Sequence, residues 1–398
     1  PFDDFARQPL LPHRLSQLGP GVCWADLNGD GWEDLVIGTG AGGRLGAFIN
    51  DQTGGFTRAT NAVFNQMLHR DTTSLIETQN ARGEDSLLVG LASYEDGRTN
   101  TAAVFRYDLR SGARVAAVPD LPSSIGPMAS ADFDADGDLD LVVAARVTAA
   151  RWPEARGTRV LRREGETWTE VAGPSGGWAG ELPVSAVLWS DLDADGFPEL
   201  LLAGEFGPIR IFKNARGKLE RADWQVKDRA GGTVPLASLQ GWWTSLAAGD
   251  FDGDGALDLV AANWGKNSTH GTQDDHAFKL YAGDLPLVPS KGIIETVFDP
   301  ALGQHVPARP LDDLLHGLSF LAGRFPSQQE YSTASMDRLL NEQAPPFSEH
   351  RVDTFETILL LNRRTHFELR PLPLEAQLSP VFGMVVGDFD LDGQEDLV

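Results

Sequence analysis

Short apolar runs recur along the chain, and each is entered the same way. Residues 35–38 (LVIG), 141–145 (LVVAA), 200–204 (LLLAG) and 259–262 (LVAA) are β-rich runs of four or five residues, and a fifth begins at Leu397. Each is preceded by nine polar residues and, before those, by another apolar segment: GVCWA, PMASA, SAVLWS, TSLAAG and FGMVVG. An apolar strand, a tight polar loop and a second apolar strand read as a β-hairpin. A second hairpin follows in FINDQTGGFTRA, VLRREGETWTEV, RIFKNARGKLERA and LLLNRRTHFELRP. Two hairpins make about four strands per unit, the content of a propeller blade.

The spacing of the polar loops supports a repeat. They begin at Asp26, Asp132, Asp191, Asp250 and Asp388, and the middle three are 59 residues apart in both steps. The gap from Asp26 to Asp132 holds two shorter units. Aligning residues 87–90 (LLVG) with 35–38 puts a faded copy between them, with Thr78, Asn80 and Arg82 at the first three polar positions. The expected fold is therefore all-β, a β-propeller of six or seven four-stranded blades, with seven the better fit.

The interval from Asp250 to Asp388 is too long for one blade. Leu311, Leu314, Leu315, Leu318 and Leu321 fall at helical spacing, and Ser327 to Glu330 reads as a capping box opening a second helix. We expect a helical insertion at 300–350 within one domain spanning 1–398. A degraded blade is expected to begin near Asp284 and to be closed by the hairpin at 357–372. Phe5–Leu10 (FARQPL) stands 21 residues before Asp26, as FELRPL stands before Asp388, so residues 1–12 read as an outer strand. The chain reads as a mature fragment of a longer protein.

The polar loops carry the chemistry. Each spells Asp-x-[Asp/Asn]-x-Asp-Gly-x-x-[Asp/Glu]. Alternate side chains of a curled loop converge, a glycine with positive φ permits the bend, and hard oxygen donors suit Ca²⁺. The candidate ligands are the side chains at positions 1, 3, 5 and 9 and the carbonyl at position 7. They are Asp26, Asn28, Asp30, Trp32 and Asp34; Asp132, Asp134, Asp136, Asp138 and Asp140; Asp191, Asp193, Asp195, Phe197 and Glu199; Asp250, Asp252, Asp254, Ala256 and Asp258; and Asp388, Asp390, Asp392, Gln394 and Asp396. Up to five Ca²⁺ are expected. An EF-hand would need a Glu at position 12 and a helix after it. Ile37, Val143, Leu202 and Ala261 stand there instead, inside β-runs. If the blade at Thr78–Arg82 has lost its ion, the Arg82 guanidinium neutralises it internally.

Charge follows the loops. The formal net charge is −24, and the five loops hold 22 of the 57 acids and no Lys or Arg. The remaining 35 acids face 33 bases. So acidic a chain repels nucleic acid and anionic membrane unless cations bridge, and no apolar stretch is long enough to span a bilayer. The single cysteine, Cys23, precludes an intramolecular disulfide and reads as a packing residue. Weak multi-site calcium binding suits a secreted, periplasmic or cell-surface protein.

Other motifs read as architecture. Gly38–Gly43 matches G-x-G-x-x-G but leads into a strand, so it is a blade turn and not a nucleotide site. Gly173–Gly177 matches G-x-S-x-G without the strand and helix of a nucleophile elbow. His270, Asp274, Asp275 and His276 read as a solvated loop, Asn267–Thr269 is a glycosylation sequon, and Trp242, Trp243 and Trp264 read as packing with sugar stacking as the alternative.

The loops resemble the FG-GAP (VCBS-type) calcium repeats of the integrin α-subunit propeller, and residues 381–388 (VFGMVVGD) look like the name-giving signature. The likeness covers most of 1–300 and 355–398, and the flanking QPLLP and FELRPLP are similar to secreted bacterial repeat proteins that often end in an ASPIC/UnbV domain. It implies a β-propeller, calcium in hairpin loops, and non-catalytic binding or adhesion outside cells toward a protein or glycan. A polysaccharide-active, lyase-like enzyme and a structural spacer are the alternatives.

Overall fold

The computed structural model describes the chain apart from residues 1, 61, 80–82, 84, 176, 230, 269–276, 287 and 342–343. It opens on a one-turn helix, α1 (Asp4–Arg7), whose N-cap Asp3 accepts hydrogen bonds from the Phe5 and Ala6 N–H groups. Residues 1–12 are thus not an outer strand. Leu10 and Leu11 are buried in a core formed with a later insertion.

Four antiparallel sheets follow, each in simple sequence order. Blade I takes β1 (Val22–Ala25), β2 (Asp34–Ile37), β3 (Gly46–Asn50) and β4 (Phe56–Arg58). Blade II takes β5 (Thr72–Gln79), β6 (Asp85–Leu91), β7 (Val104–Asp108) and β8 (Arg114–Val118). Blade III takes β9 (Ser124–Ala131), β10 (Asp140–Val147), β11 (Arg159–Glu164) and β12 (Thr167–Glu170). Blade IV takes β13 (Val184–Ser190), β14 (Glu199–Gly207), β15 (Arg210–Asn214) and β16 (Leu219–Ala222). The second strand of blade IV is buried at every residue, as a strand covered on both faces requires. Residues 38–45, with the Gly-rich motif, connect β2 to β3 without a helix.

Three short strands lead into blade V: β17 (Gln225–Lys227), β18 (Thr233–Pro235) and β19 (Gly241–Trp242). β20 (Ser245–Gly249) and β21 (Asp258–Ala262) begin the blade, and the chain then leaves it. The insertion holds β22 (Phe278–Asp284), β23 (Lys291–Asp299), β24 (Gln304–Pro307), helices α2 (Leu311–Leu315), α3 (Gln328–Ser332) and α4 (Met336–Leu339), and β25 (Phe347–Val352). Ser327 caps α3 by accepting the Glu330 N–H. The chain returns as β26 (Ile358–Asn362) and β27 (Phe367–Pro371). β26 pairs with β21 through Ala261↔Ile358 and Leu259↔Leu360.

This pairing corrects two expectations. The hairpin at 357–372 completes the blade of the loop at Asp250 rather than a degraded blade near Asp284. The strands around Asp284 form a separate sheet of order β24-β23-β22-β25, which is not blade order. The β17–β18 hairpin adds to blade V beyond β27, where β17 runs parallel to it and covers the edge. A two-stranded sheet, β28 (Val386–Gly387) and β29 (Asp396–Leu397), lies beside β20.

The first strands β1, β5, β9, β13, β20 and β28 are neighbours in that order, so they line the axis. Every polar loop joins a first strand to a second and sits at one end of the propeller. The opposite end is capped. Trp152, Phe206 and Trp242, from blades III and IV and the entry to blade V, are buried in one core with Leu10, Leu11 and Leu15 and with Phe278, Leu314, Leu321 and Leu339 of the insertion.

Candidate metal centres

The loop geometry repeats residue by residue. The position-1 carboxylate accepts backbone N–H groups from positions 5 and 6: Asp132 from Asp136 and Gly137, Asp191 from Asp195 and Gly196, Asp250 from Asp254 and Gly255, Asp388 from Asp392 and Gly393, and Asp26 from Asp30 and Gly31. The position-6 glycines all lie in the left-handed region, at φ 83°, 94°, 88°, 78° and 89°. Position 4 is left-handed as well, and there the residues are Gly29, Ala135, Ala194, Gly253 and Leu391.

These turns gather oxygens. Asp132, Asp134 and Asp136; Asp191, Asp193 and Glu199; Asp250, Asp252 and Asp254; and Asp388, Asp390 and Asp396 each bring one carboxylate oxygen within 4.8 Å of the others in the set. In the first loop the middle donor is an amide. Asn28 Nδ2 donates to Asp30 Oδ2 at 3.1 Å, and Asn28 Oδ1 accepts the Asp30 N–H.

The position-9 acid has a second task. Asp34, Asp140, Glu199 and Asp258 are fully buried. One oxygen of each accepts the position-2 N–H, from Leu27, Phe133, Leu192 and Phe251. The other accepts an N–H from the third strand, at Asn50, Arg163, Asn214 and Asn362. The acid therefore ties the loop to the middle of its blade. Burial pushes Asp140 and Glu199 up to about 7, against the lowering effect of those N–H groups. Asp258 is raised by burial too. A positive charge nearby favours their ionised form.

Two kinds of residue at these centres escape a reading of the loops alone. The third strand supplies cations: Arg162 Nε lies 2.6 Å from Asp134 Oδ2, Lys213 pairs with Asp193, and Arg363 Nη1 lies 2.7 Å from Asp252 and 3.0 Å from Asp254. The third strand also supplies an inter-blade staple. Asn214 Nδ2 donates to Phe133 O of the preceding blade and to Pro198 O of its own. Asn362 does the same to Leu192 O and Leu257 O. The signal is the Asn ending FIN, IFKN and LLLN, which shows only when the third strands are aligned.

Blade II departs from this register. Thr78 pairs with Ser86, as Ala25 pairs with Asp34, so Thr78 stands one residue before the first ligand position and not at it. The loop is one residue shorter. Asn80 and Arg82 lie outside the described residues, as do His270, Asp274, Asp275 and His276. Cys23 is half-buried against the core between blades I and II. Ser175 sits in a turn closed by Gly177 N–H to Pro174 O. Trp242 and Trp243 are fully buried, whereas Trp264 lines a cavity at the capped end. No helix among the described residues is long and apolar enough to cross a membrane.

A test of fit to a cation comes from the oxygens themselves. Asp134 Oδ1 and Asp193 Oδ1 are buried and have no hydrogen-bond partner. Such an atom costs about 1–3 kcal/mol unless something meets it. Both lie in carboxylate clusters, where a divalent cation fits and a further acid would not.

The chain is similar to known repeats in two stretches. The FG-GAP repeat family matches residues 18–55, and the FG-GAP-like repeat family matches residues 191–261. No curated protein matches it. Among solved structures, BBS1N in complex with ARL6DN is 12% identical over 93% of this chain and 86% of that one, with a TM-score of 0.39. An Agrocybe aegerita lectin that recognises non-reducing terminal N-acetylglucosamine is 14% identical over 91% and 82%, with a TM-score of 0.38. The Malassezia sympodialis allergen Mala s 1 is 11% identical over 66% and 75%, with a TM-score of 0.33. The chain thus carries FG-GAP-type repeats at residues 18–55, on blade I, and at residues 191–261, on blades IV and V of a β-propeller.

Proposed function

We propose that this propeller is a calcium-stabilised, non-catalytic binding scaffold that works outside the cytoplasm. The observation that carries the reading is the convergence of carboxylates in the polar loops, with Asp134 Oδ1 and Asp193 Oδ1 buried and unmet. Asp26, Asn28, Asp30 and Asp34, and their counterparts in the other four loops, would hold the ions. Bound calcium would cancel the repulsion among four or five acids per loop. The chain's own residues do the rest. The position-1 acid holds the turn, the position-9 acid holds the third strand, and Asn214 and Asn362 hold the neighbouring blade.

Calcium at about a hundredfold excess over Kd adds roughly 2.7 kcal/mol per site. Chelation with EGTA should then lower the melting temperature of the full chain by roughly ten degrees or more, and added Ca²⁺ should restore it. A melting curve that is the same in EGTA and in calcium sinks the proposal.

One observation favours the polysaccharide-active reading: His13, Arg146, Glu205 and Trp264 line one cavity. Glu205 is poorly suited to acid catalysis there. Burial pushes its carboxyl up, but the charges of Arg146 and His13 and the Arg146 and Trp152 hydrogen bonds bring it below the ordinary value. Both of its oxygens accept hydrogen bonds at 2.6 Å.

A further inference from the structure

Two adjoining cavities of about 360 and 400 Å³ open at the capped end. Their walls include Thr73, Ile125, Ser185 and Thr244, which lie at or beside the starts of four first strands. The cavities therefore lie on the propeller axis, at the end away from the acidic loops. The chain at residues 13–19 runs across them, and Arg146, Ser185, Leu18, Gly19 and Phe382 are common to both.

Arg146 is the polar centre. It reaches the axis because Gly126 has no side chain; a Cβ there would come within 2.9 Å of Arg146 Cβ. Its Nη2 donates to Glu205 Oε1 at 2.6 Å, and Trp152 Nε1 donates to Glu205 Oε2 at 2.6 Å. Arg146 Nη1 is buried without a hydrogen-bond partner. Glu205 already balances the Arg146 guanidinium, so a carboxylate guest on Nη1 would compete with the buried Glu205 carboxylate for one cation and repel it. The guest must offer Nη1 a neutral oxygen.

The remaining wall is of two kinds. Ser185 Oγ and Thr244 Oγ1 donate their protons to Trp243 O and Val381 O, so each hydroxyl keeps lone pairs for a donor. Trp264, stacked on Trp242 at 4.6 Å, and Phe382, edge-on to Trp264 at 6.0 Å and 63% exposed, form an apolar rim. A ring with hydroxyls at its edge and an apolar face meets both walls. The volume lies in the range of small-molecule sites.

We propose that the axial cavity binds a neutral pyranose unit, with a sugar oxygen on Arg146 Nη1 and the apolar sugar face on Trp264 and Phe382. This deepens the binding-scaffold reading by naming a ligand class. It stands on the cavity and not on calcium.

The test is a tryptophan-fluorescence titration of the calcium-loaded full chain with methyl glucoside, methyl galactoside, methyl mannoside and methyl xyloside, and with glucuronate as the charged arm. A saturable change with at least one neutral glycoside is expected. Affinity should fall about tenfold or more in Arg146→Met, as for loss of a hydrogen bond to a charged group. It should fall severalfold in Phe382→Ala, whose exposed ring can be removed without emptying the core, and stay unchanged in Trp24→Ala. If Arg146→Met does not fold, Phe382→Ala decides. No saturable change with any glycoside, binding that survives the variants, or tighter binding of glucuronate than of the glucoside overturns the proposal. Failure here with a melting temperature that still responds to EGTA leaves the scaffold standing. Binding followed by product release would overturn the non-catalytic reading and keep the site.

Discussion

At the scale of single residues, each acidic loop is a backbone device as much as a ligand set. Its position-4 residue adopts a conformation that costs an L-residue about 1 kcal/mol or more. Glycine meets this at positions 29 and 253, while Ala135, Ala194 and Leu391 bear the strain at φ 60°, 58° and 63°. Ala135→Gly and Ala194→Gly should each stabilise the protein by about 0.5–1 kcal/mol, since the relief outweighs the added freedom of the unfolded chain. Urea unfolding of the single variants reads this directly, and a loss of stability in both would contradict it.

A second residue-scale effect sits in the insertion. Burial pushes His350 below its ordinary value, and the charge of Lys291 adds to this while Glu181 opposes it. Its unfolded form takes up a proton near pH 6.5, before the folded form does. Stability is therefore full above that pH and falls as the pH drops from about 6.5 toward the depressed folded value. Unfolding measured at several pH values should show a shallower acid slope in His350→Gln than in the parent, with the carboxylates common to both.

At the scale of elements, the third strand joins loop, blade and neighbour. Asn362 is fully buried and donates to one carbonyl in its own loop and one in the preceding blade. Asn362→Ala leaves two buried carbonyls unmet and should cost about 2–3 kcal/mol; Asn214→Ala should cost a similar amount. Among the described residues the Asn50 side chain donates to Glu33 O of its own blade alone, at an exposed site, so Asn50→Ala should cost less than about 1 kcal/mol. Equal losses at the three positions would refute the staple. The loops were legible because side-chain oxygens at fixed offsets leave a one-dimensional trace. The staples were not, because their partners are backbone carbonyls, which any residue can supply.

At the scale of the whole molecule, the insertion is a cap between two halves of blade V. Ala261 pairs with Ile358, so the two ends of the insertion meet where an ordinary hairpin would turn. Replacing residues 263–356 by Asn-Gly should leave the propeller folded. It would uncover Trp152, Phe206 and Trp242, now at most 7% exposed, and lower stability by roughly 5 kcal/mol. Strong binding of an apolar dye and a lower melting temperature are expected. Loss of cooperative unfolding would show instead that cap and propeller fold as one unit. The axial cavity belongs to this scale too, for residues 13–19, Arg146, Thr244 and Phe382 come together only when the blades close around the axis.

The sequence by itself determined the repeat, the strand content, the acidic loops and their backbone bend. These depend on side-chain period and on local turns, which residues within one hairpin set. It also placed helices in the insertion, since leucine spacing and a Ser cap act within a few turns. Only the tertiary structure decided which hairpin completes blade V, because a strand pairs with any suitable edge and nothing in its own residues names the partner across an insertion. It likewise decided that residues 2–12 form part of the cap, that Thr78 falls one position short of a ligand site, and that Arg146 faces Glu205. Burial, register and charge pairing are properties of what surrounds a residue, and in this protein the surroundings come from distant parts of the chain.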